Sequence, residues 1–144
     1  MSGNLPKQQI LTLFKDKVID FFEALIEQFP NEEDFIFLRL VVNDAPVEKI
    51  ITAVTIAILP YSDMILNKNE RFFLEKCSEI LKNIPEINVG DIKIDHFRKI
   101  WLSSVLTPED RDILWDWFKL FVKLSKQYEI YLPDKLRSSI DSKK

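Results

Sequence analysis

Thr107 to Lys126 reads TPEDRDILWDWFKLFVKLSK, and this stretch decides the fold. A threonine can accept a hydrogen bond from a free amide of a helix's first turn, and a proline just after it has a φ already suited to the helix. Glu109 and Asp110 then place negative charge at the positive end of the helix dipole. At about 100° per residue, Ile113, Leu114, Trp117, Phe118, Phe121, Leu124 and Tyr128 fall in one arc, which is read as the core face. Trp115 and Val122 lie beyond its edge, while Asp112, Asp116, Lys119, Lys123 and Lys126 crowd into the rest. Two readings of Trp115 stand. In the favoured one it packs against a second neighbour inside the same core, as aromatic residues at helical spacing usually do. In the other, Trp115 and Val122 form an apolar patch, bordered by Lys119, Lys123 and Lys126, that a second chain covers.

Working back toward the N-terminus, the same two signals recur, proline or an acidic cap followed by apolar residues three and four apart. Ile10, Phe14, Val18, Phe21, Phe22, Leu25 and Phe29 make one stripe between Pro6 and Pro30. NEED at Asn31 to Asp34 caps a second helix running to about Asn43, dense enough in apolar residues to be buried on most sides. Asp44 and Pro46 start a third, carrying Val47, Ile50, Ile51, Val54 and Ile58 on one face, although its Thr and Ile content also suits a strand. Residues 60–69 read either as a kinked continuation or as a separate turn, and Glu70 to Lys82 resumes the helical pattern. NIPEINVGD is the expected long loop, and Asp95 is the expected cap of a short helix carrying Phe97, Ile100 and Trp101. LPDKLRSSIDSKK, from Leu132 onward, is polar and basic and is expected to fray or to form one loose turn, a tail of residues 132–144 outside a single domain of residues 1–131.

Composition narrows the class. The chain has 144 residues, 47% of them hydrophobic, which suits one domain with one core. Two glycines are far fewer than the average of about 7% would supply, and hairpin turns and phosphate-cradling loops draw on glycine. The expectation is an all-α, compact multi-helix domain of about six helices. A formal net charge of −3 lacks the footprint of a dedicated DNA-binding domain. One cysteine permits no internal disulfide, MSGNLPKQQ has no signal-peptide pattern, and the longest apolar run, Ile50 to Leu59, is half a membrane span. These features predict a soluble intracellular protein that is not secreted and does not insert into a membrane.

No catalytic constellation emerges. His96 is the sole histidine, and with Cys77 it makes no pair at metal-ligand spacing, so neither a metal nor an organic cofactor is expected. Asp95, His96, Ser103 and Ser104 contain the ingredients of a nucleophilic triad without a strained elbow to present either serine. The pairs Glu32 with Glu33 and Glu109 with Asp110 sit where helix dipoles favour acids. Two basic clusters, Lys7, Lys15 and Lys17 and then Lys135, Arg137, Lys143 and Lys144, would reach phosphates only if the termini meet, and a solvated surface explains them better.

FFEALIEQFPNEEDFIFLRLVVNDAPVEKI, ILPYSDMILNKNERFFLE and DHFRKIWLSSVLTPEDRDILWDWFKLFVKLSKQY resemble a family of small proteins of nucleocytoplasmic large DNA viruses, including marseillevirus-like and mimivirus-like giant viruses. The similarity runs from about Phe21 to Tyr128, and its strongest elements, FPNE, VNDAPVE and LTPEDRDILWDWF, are capping and packing motifs. It brings no catalytic residues with it. What it implies is context, a viral protein working in the host cytoplasm near the viral factory or in the virion.

The resulting expectation is a non-enzymatic viral helical protein that binds viral or host proteins and self-associates as a homodimer. A nucleic-acid-associated factor using the lysines of the last long helix and tail is the first alternative. A Bcl-2-like groove protein that captures an amphipathic host helix is the second, on fold-class analogy alone.

Overall fold

A computed structural model of the chain describes residues 5–82, 98–103 and 106–143. Among them are helices and no strand: α1 (Lys7–Gln28), α2 (Glu33–Asp44), α3 (Val47–Ile58), α4 (Ser62–Leu66), α5 (Glu70–Lys82), α6 (Pro108–Tyr128) and α7 (Asp134–Lys143). Residues 98–102 add one further helical turn. The expected all-α domain is therefore the observed one.

α6 is the central element. α1 runs antiparallel along one side of it, with Phe21 meeting Trp117, Phe118 and Phe121, and Phe14, about two turns earlier on α1, meeting Phe121 alone among these. On another side runs α3, continued through a 3₁₀ turn at Leu59–Tyr61 into α4, also antiparallel to α6: Thr52 faces Tyr128 near one end and Lys68 faces Asp112 at the other. The α3 segment is a helix and not a strand, and residues 60–69 begin as its kinked continuation. Val47–Leu66 is the one helical run among the described residues long and apolar enough by composition to cross a membrane. Here its Ile50, Ile51, Thr55, Leu59 and Ile65 are buried within the bundle.

The entry to α1 is held at the far end of α6. Leu5 N–H donates to Gln127 Oε1 (3.0 Å), and Tyr131 Oη donates to the Leu5 carbonyl (2.7 Å). Lys7 beside it donates to Glu48 at the start of α3 (2.8 Å), and that hydrogen bond raises the Lys7 pKa above the ordinary lysine range. A raised folded-state value means the pair helps at neutral pH and is lost only as pH rises through it.

Between α4 and α5 the chain turns by a left-handed cap. Lys68 sits at φ 54°, Asn69 N–H reaches back to the Met64 carbonyl (3.0 Å) and Lys68 N–H to that of Ile65 (3.1 Å). This is the paired hydrogen-bond pattern that glycine usually closes. Asn69 then caps the next helix, accepting from Phe72 N–H through its side chain (3.0 Å).

Three expectations need correction. The segment from Leu132 is not a frayed tail: it forms α7, packed on α3 and the 3₁₀ turn, and Ile140 is 0% exposed. Leu132, Leu136 and Ile140 recur every fourth residue, so one thin stripe anchors an otherwise polar helix, and the domain extends through it. α2 is not buried on most sides either. It packs on α1 through Phe35 and Val42, with Arg39 bonded to Glu23 (2.7 Å), while Ile36, Phe37 and Leu40 on the opposite face are exposed. The caps expected from NEED and Asp44 are also unused: Glu32 and Pro46 occupy the capping positions and neither side chain makes the capping hydrogen bond to its helix.

Ile140→Ala is expected to cost about 2–5 kcal/mol of stability, as a core deletion does; a denaturant midpoint unchanged from wild type would return this segment to a tail. Lys68→Gly relieves a left-handed conformation that costs a side chain about 1 kcal/mol and should raise the midpoint slightly, since the exposed contact with Asp112 it removes is worth little.

Candidate functional site

The N-terminal half of α6 is fixed by its cap. Thr107 Oγ1 accepts from Asp110 N–H and Asp110 Oδ2 accepts from Thr107 N–H, both at 3.1 Å. This reciprocal pair satisfies two amides that the helix leaves open. The same Asp110 Oδ2 accepts from Gln28 Nε2 at the end of α1 (3.1 Å), so the cap also ties α6 to its neighbour.

Above that tie lies an apolar groove of about 70 Å³ between the two helices. Phe21, Ala24, Leu25, Gln28 and Phe29 line it from α1, and Leu106, Asp110, Ile113, Leu114 and Trp117 from the start of α6 and the residue before its cap. Trp117 lies across Phe21 (5.7 Å between ring centroids) and against Phe121 (6.2 Å), which fixes the indole as a wall. Ile113 is 55% exposed at the opening. The volume exceeds that of a bound water and falls short of a cavity that holds a benzene ring, so the groove accepts the end of one aliphatic side chain.

On the other side of α6 stands a second aromatic group. Trp115 packs edge-on to Trp101 (5.5 Å), Phe73 (5.6 Å) and Phe118 (5.7 Å), and is only 4% exposed. Trp101 Nε1 donates to Glu70 (2.7 Å), and Arg111 Nη2 donates to the Trp101 carbonyl (2.9 Å). Arg111 thereby binds residues 98–103 and the start of α5 onto α6. Glu70 and Arg111 approach within 3.7 Å, completing the clasp.

The sequence-predicted interaction surface is therefore corrected. Trp115 and Val122 are buried, so the core alternative for Trp115 is the one realised, and self-association through these two residues has no exposed surface to use. Lys119 is half-buried, and Lys123 and Lys126 are exposed. The arc assigned to the core was rotated by about 50° on the wheel: Ile113, placed inside it, opens to solvent, and Trp115, placed beyond it, is enclosed. Both edges of the arc are apolar, so periodicity could not rank them. Asp95 and His96 lie outside the described residues, as do the side chain of Cys77 and Ser104. Among the described residues no group of three His, Cys, Asp or Glu side chains is arranged to hold a metal ion.

No family model, curated protein or solved structure matches this chain. Trp115→Ala should cost about 3–5 kcal/mol, because it empties a site enclosed by rings. Ile113→Ser should change stability by less than about 1 kcal/mol. Thermal unfolding of the two variants checks the pair, and equal losses would mean that the groove residue is core.

Proposed function

We propose that this chain is a non-enzymatic helical interaction protein that receives an apolar anchor of a partner protein in the groove between α1 and α6. The observation that carries the reading is Ile113, a half-exposed isoleucine at the mouth of a groove walled by Trp117, Phe21 and Phe29. An exposed aliphatic beside a fixed indole is the composition of an interface core, whereas surface without a partner favours charge. The resemblance of its capping and packing motifs to giant-virus proteins supports placing this activity in an infected cell, in the cytoplasm or the particle.

Contact with nucleic-acid phosphates is the second reading, favoured by one observation. Lys119, Lys123 and Lys126 stand at four- and three-residue spacing on α6, on a stripe separate from the groove. Its signature is a steep loss of affinity with salt.

Selection from a displayed library of helical peptides separates these readings. Enriched peptides should carry apolar residues three and four apart and bind Ile113→Ser about tenfold more weakly than wild type, as loss of a central apolar contact predicts. Failure to enrich any peptide, or equal binding to both proteins, overturns the groove reading. Salt-sensitive binding of a random-sequence oligonucleotide that Lys123→Gln abolishes would establish the second.

A further inference from the structure

Resting on that groove reading, we infer that the occupant is a short amphipathic helix whose apolar stripe is flanked by lysine or arginine. Each bank of the groove carries one exposed apolar residue, Ala24 on α1 and Ile113 on α6. Asp20 stands four residues before Ala24 and Glu27 three after it; Glu109 stands four before Ile113 and Asp116 three after it. Residues three and four apart are neighbours on a helix surface. Each apolar bank residue therefore has a carboxylate one turn before it and one turn after it along the outer flank of its helix, and Asp110 adds another within the lining.

Asp20, Glu27, Glu109 and Asp116 are all exposed, and none forms an ion pair among the described residues. Cations near this rim are directed elsewhere or do not pair with it. Arg111 is committed to Glu70 and the Trp101 carbonyl, and Lys17 and Lys119, three residues from Asp20 and Asp116, make no ion pair with them. An apolar trough between two rows of unpaired carboxylates is complementary to an apolar ridge between two rows of cations, and it repels a ridge bordered by acids.

The partner's backbone form follows from the fold. α1 and α6 present no strand edge to extend, whereas a ridge of side chains from a third helix fits the groove between two antiparallel ones. Phe21 to Phe29 spans roughly 12 Å at 1.5 Å per residue, a little over two turns. The exposed apolar face on α2 of a second copy fits less well, because it is bordered by Glu33 and Asp44.

The test uses the full chain and three fluorescein-labelled synthetic peptides of about four helical turns with one leucine stripe and flanks of lysine, glutamine or glutamate. Anisotropy titrations at low salt should give the lysine peptide about tenfold higher affinity than the glutamine peptide, the sum of several exposed charge contacts. That advantage should shrink at high salt and disappear in the combined variant D20N/E27Q/E109Q/D116N, whose circular dichroism should match wild type. Binding of the glutamine peptide should be insensitive to the combined variant and weakened by Ile113→Ser. Equal affinity of all three peptides, with sensitivity to Ile113→Ser retained, overturns the charge inference and leaves the groove reading standing. Persistence of the lysine preference in the combined variant also overturns it. Absence of binding by every peptide, or indifference to Ile113→Ser, overturns both readings, and a homodimer dissociated by Ile113→Ser would make the occupant a second copy.

Discussion

Burial of α6 between two antiparallel tracks, α1 on one side and the α3 to α4 run on another, is the constraint on which the other contacts depend. Phe118 is the point where α1 meets the aromatic group of α5 and residues 98–102. It touches Phe21 of α1 at 6.1 Å and belongs to the ring group of Phe73, Trp101 and Trp115 on the other side. A continuous path of rings thus crosses the domain from Phe22 to Phe73 through α6. Aromatic side chains bury large areas with few rotatable bonds, so a central helix rich in them orders its neighbours at modest entropic cost.

The groove is a by-product of that arrangement, made definite by polar ties at its base. Asp110 serves two elements at once, capping α6 and accepting from Gln28 of α1, so the distance between the helix ends is set by hydrogen bonds. Above the tie, Ala24 is too small to fill the space opposite Ile113, and the gap stays open between walls of Trp117 and Phe29. The other side of α6 is closed by the Arg111 and Glu70 clasp, which brings Trp101 over Trp115. One side of the helix is thereby sealed and the other presented.

Charge follows the same axis. Glu109, Asp110, Asp112 and Asp116 occupy the first half of α6, and Lys119, Lys123 and Lys126 the second. This order complements the helix dipole at both ends and stabilises the helix irrespective of any partner. It also gives the two ends of one element opposite charge, acidic around Ile113 and basic from Lys119 to Lys126. Asp20 and Glu27, one turn before and one turn after Ala24 on α1, have no such explanation from a dipole, since they lie toward the C-terminal half of their helix.

By itself the sequence determined the class and most of the elements, because the causes are local. Proline at positions 6, 46 and 108, the Thr107 to Asp110 capping box and the three- and four-residue spacing of apolar side chains each act within one or two turns. Only the tertiary structure decided which edge of α6 faces inward. Its apolar arc is wider than one neighbour can cover, and Trp115 is enclosed only because Arg111 draws residues 98–103 across it, a contact set by packing rather than period. The same holds for α7, where Ile140 is buried because α3 offers a surface to a stripe of three aliphatics too sparse to dominate the composition. Local patterns specify which residues are apolar and where a helix starts; burial is a pairwise property, fixed when two such surfaces meet.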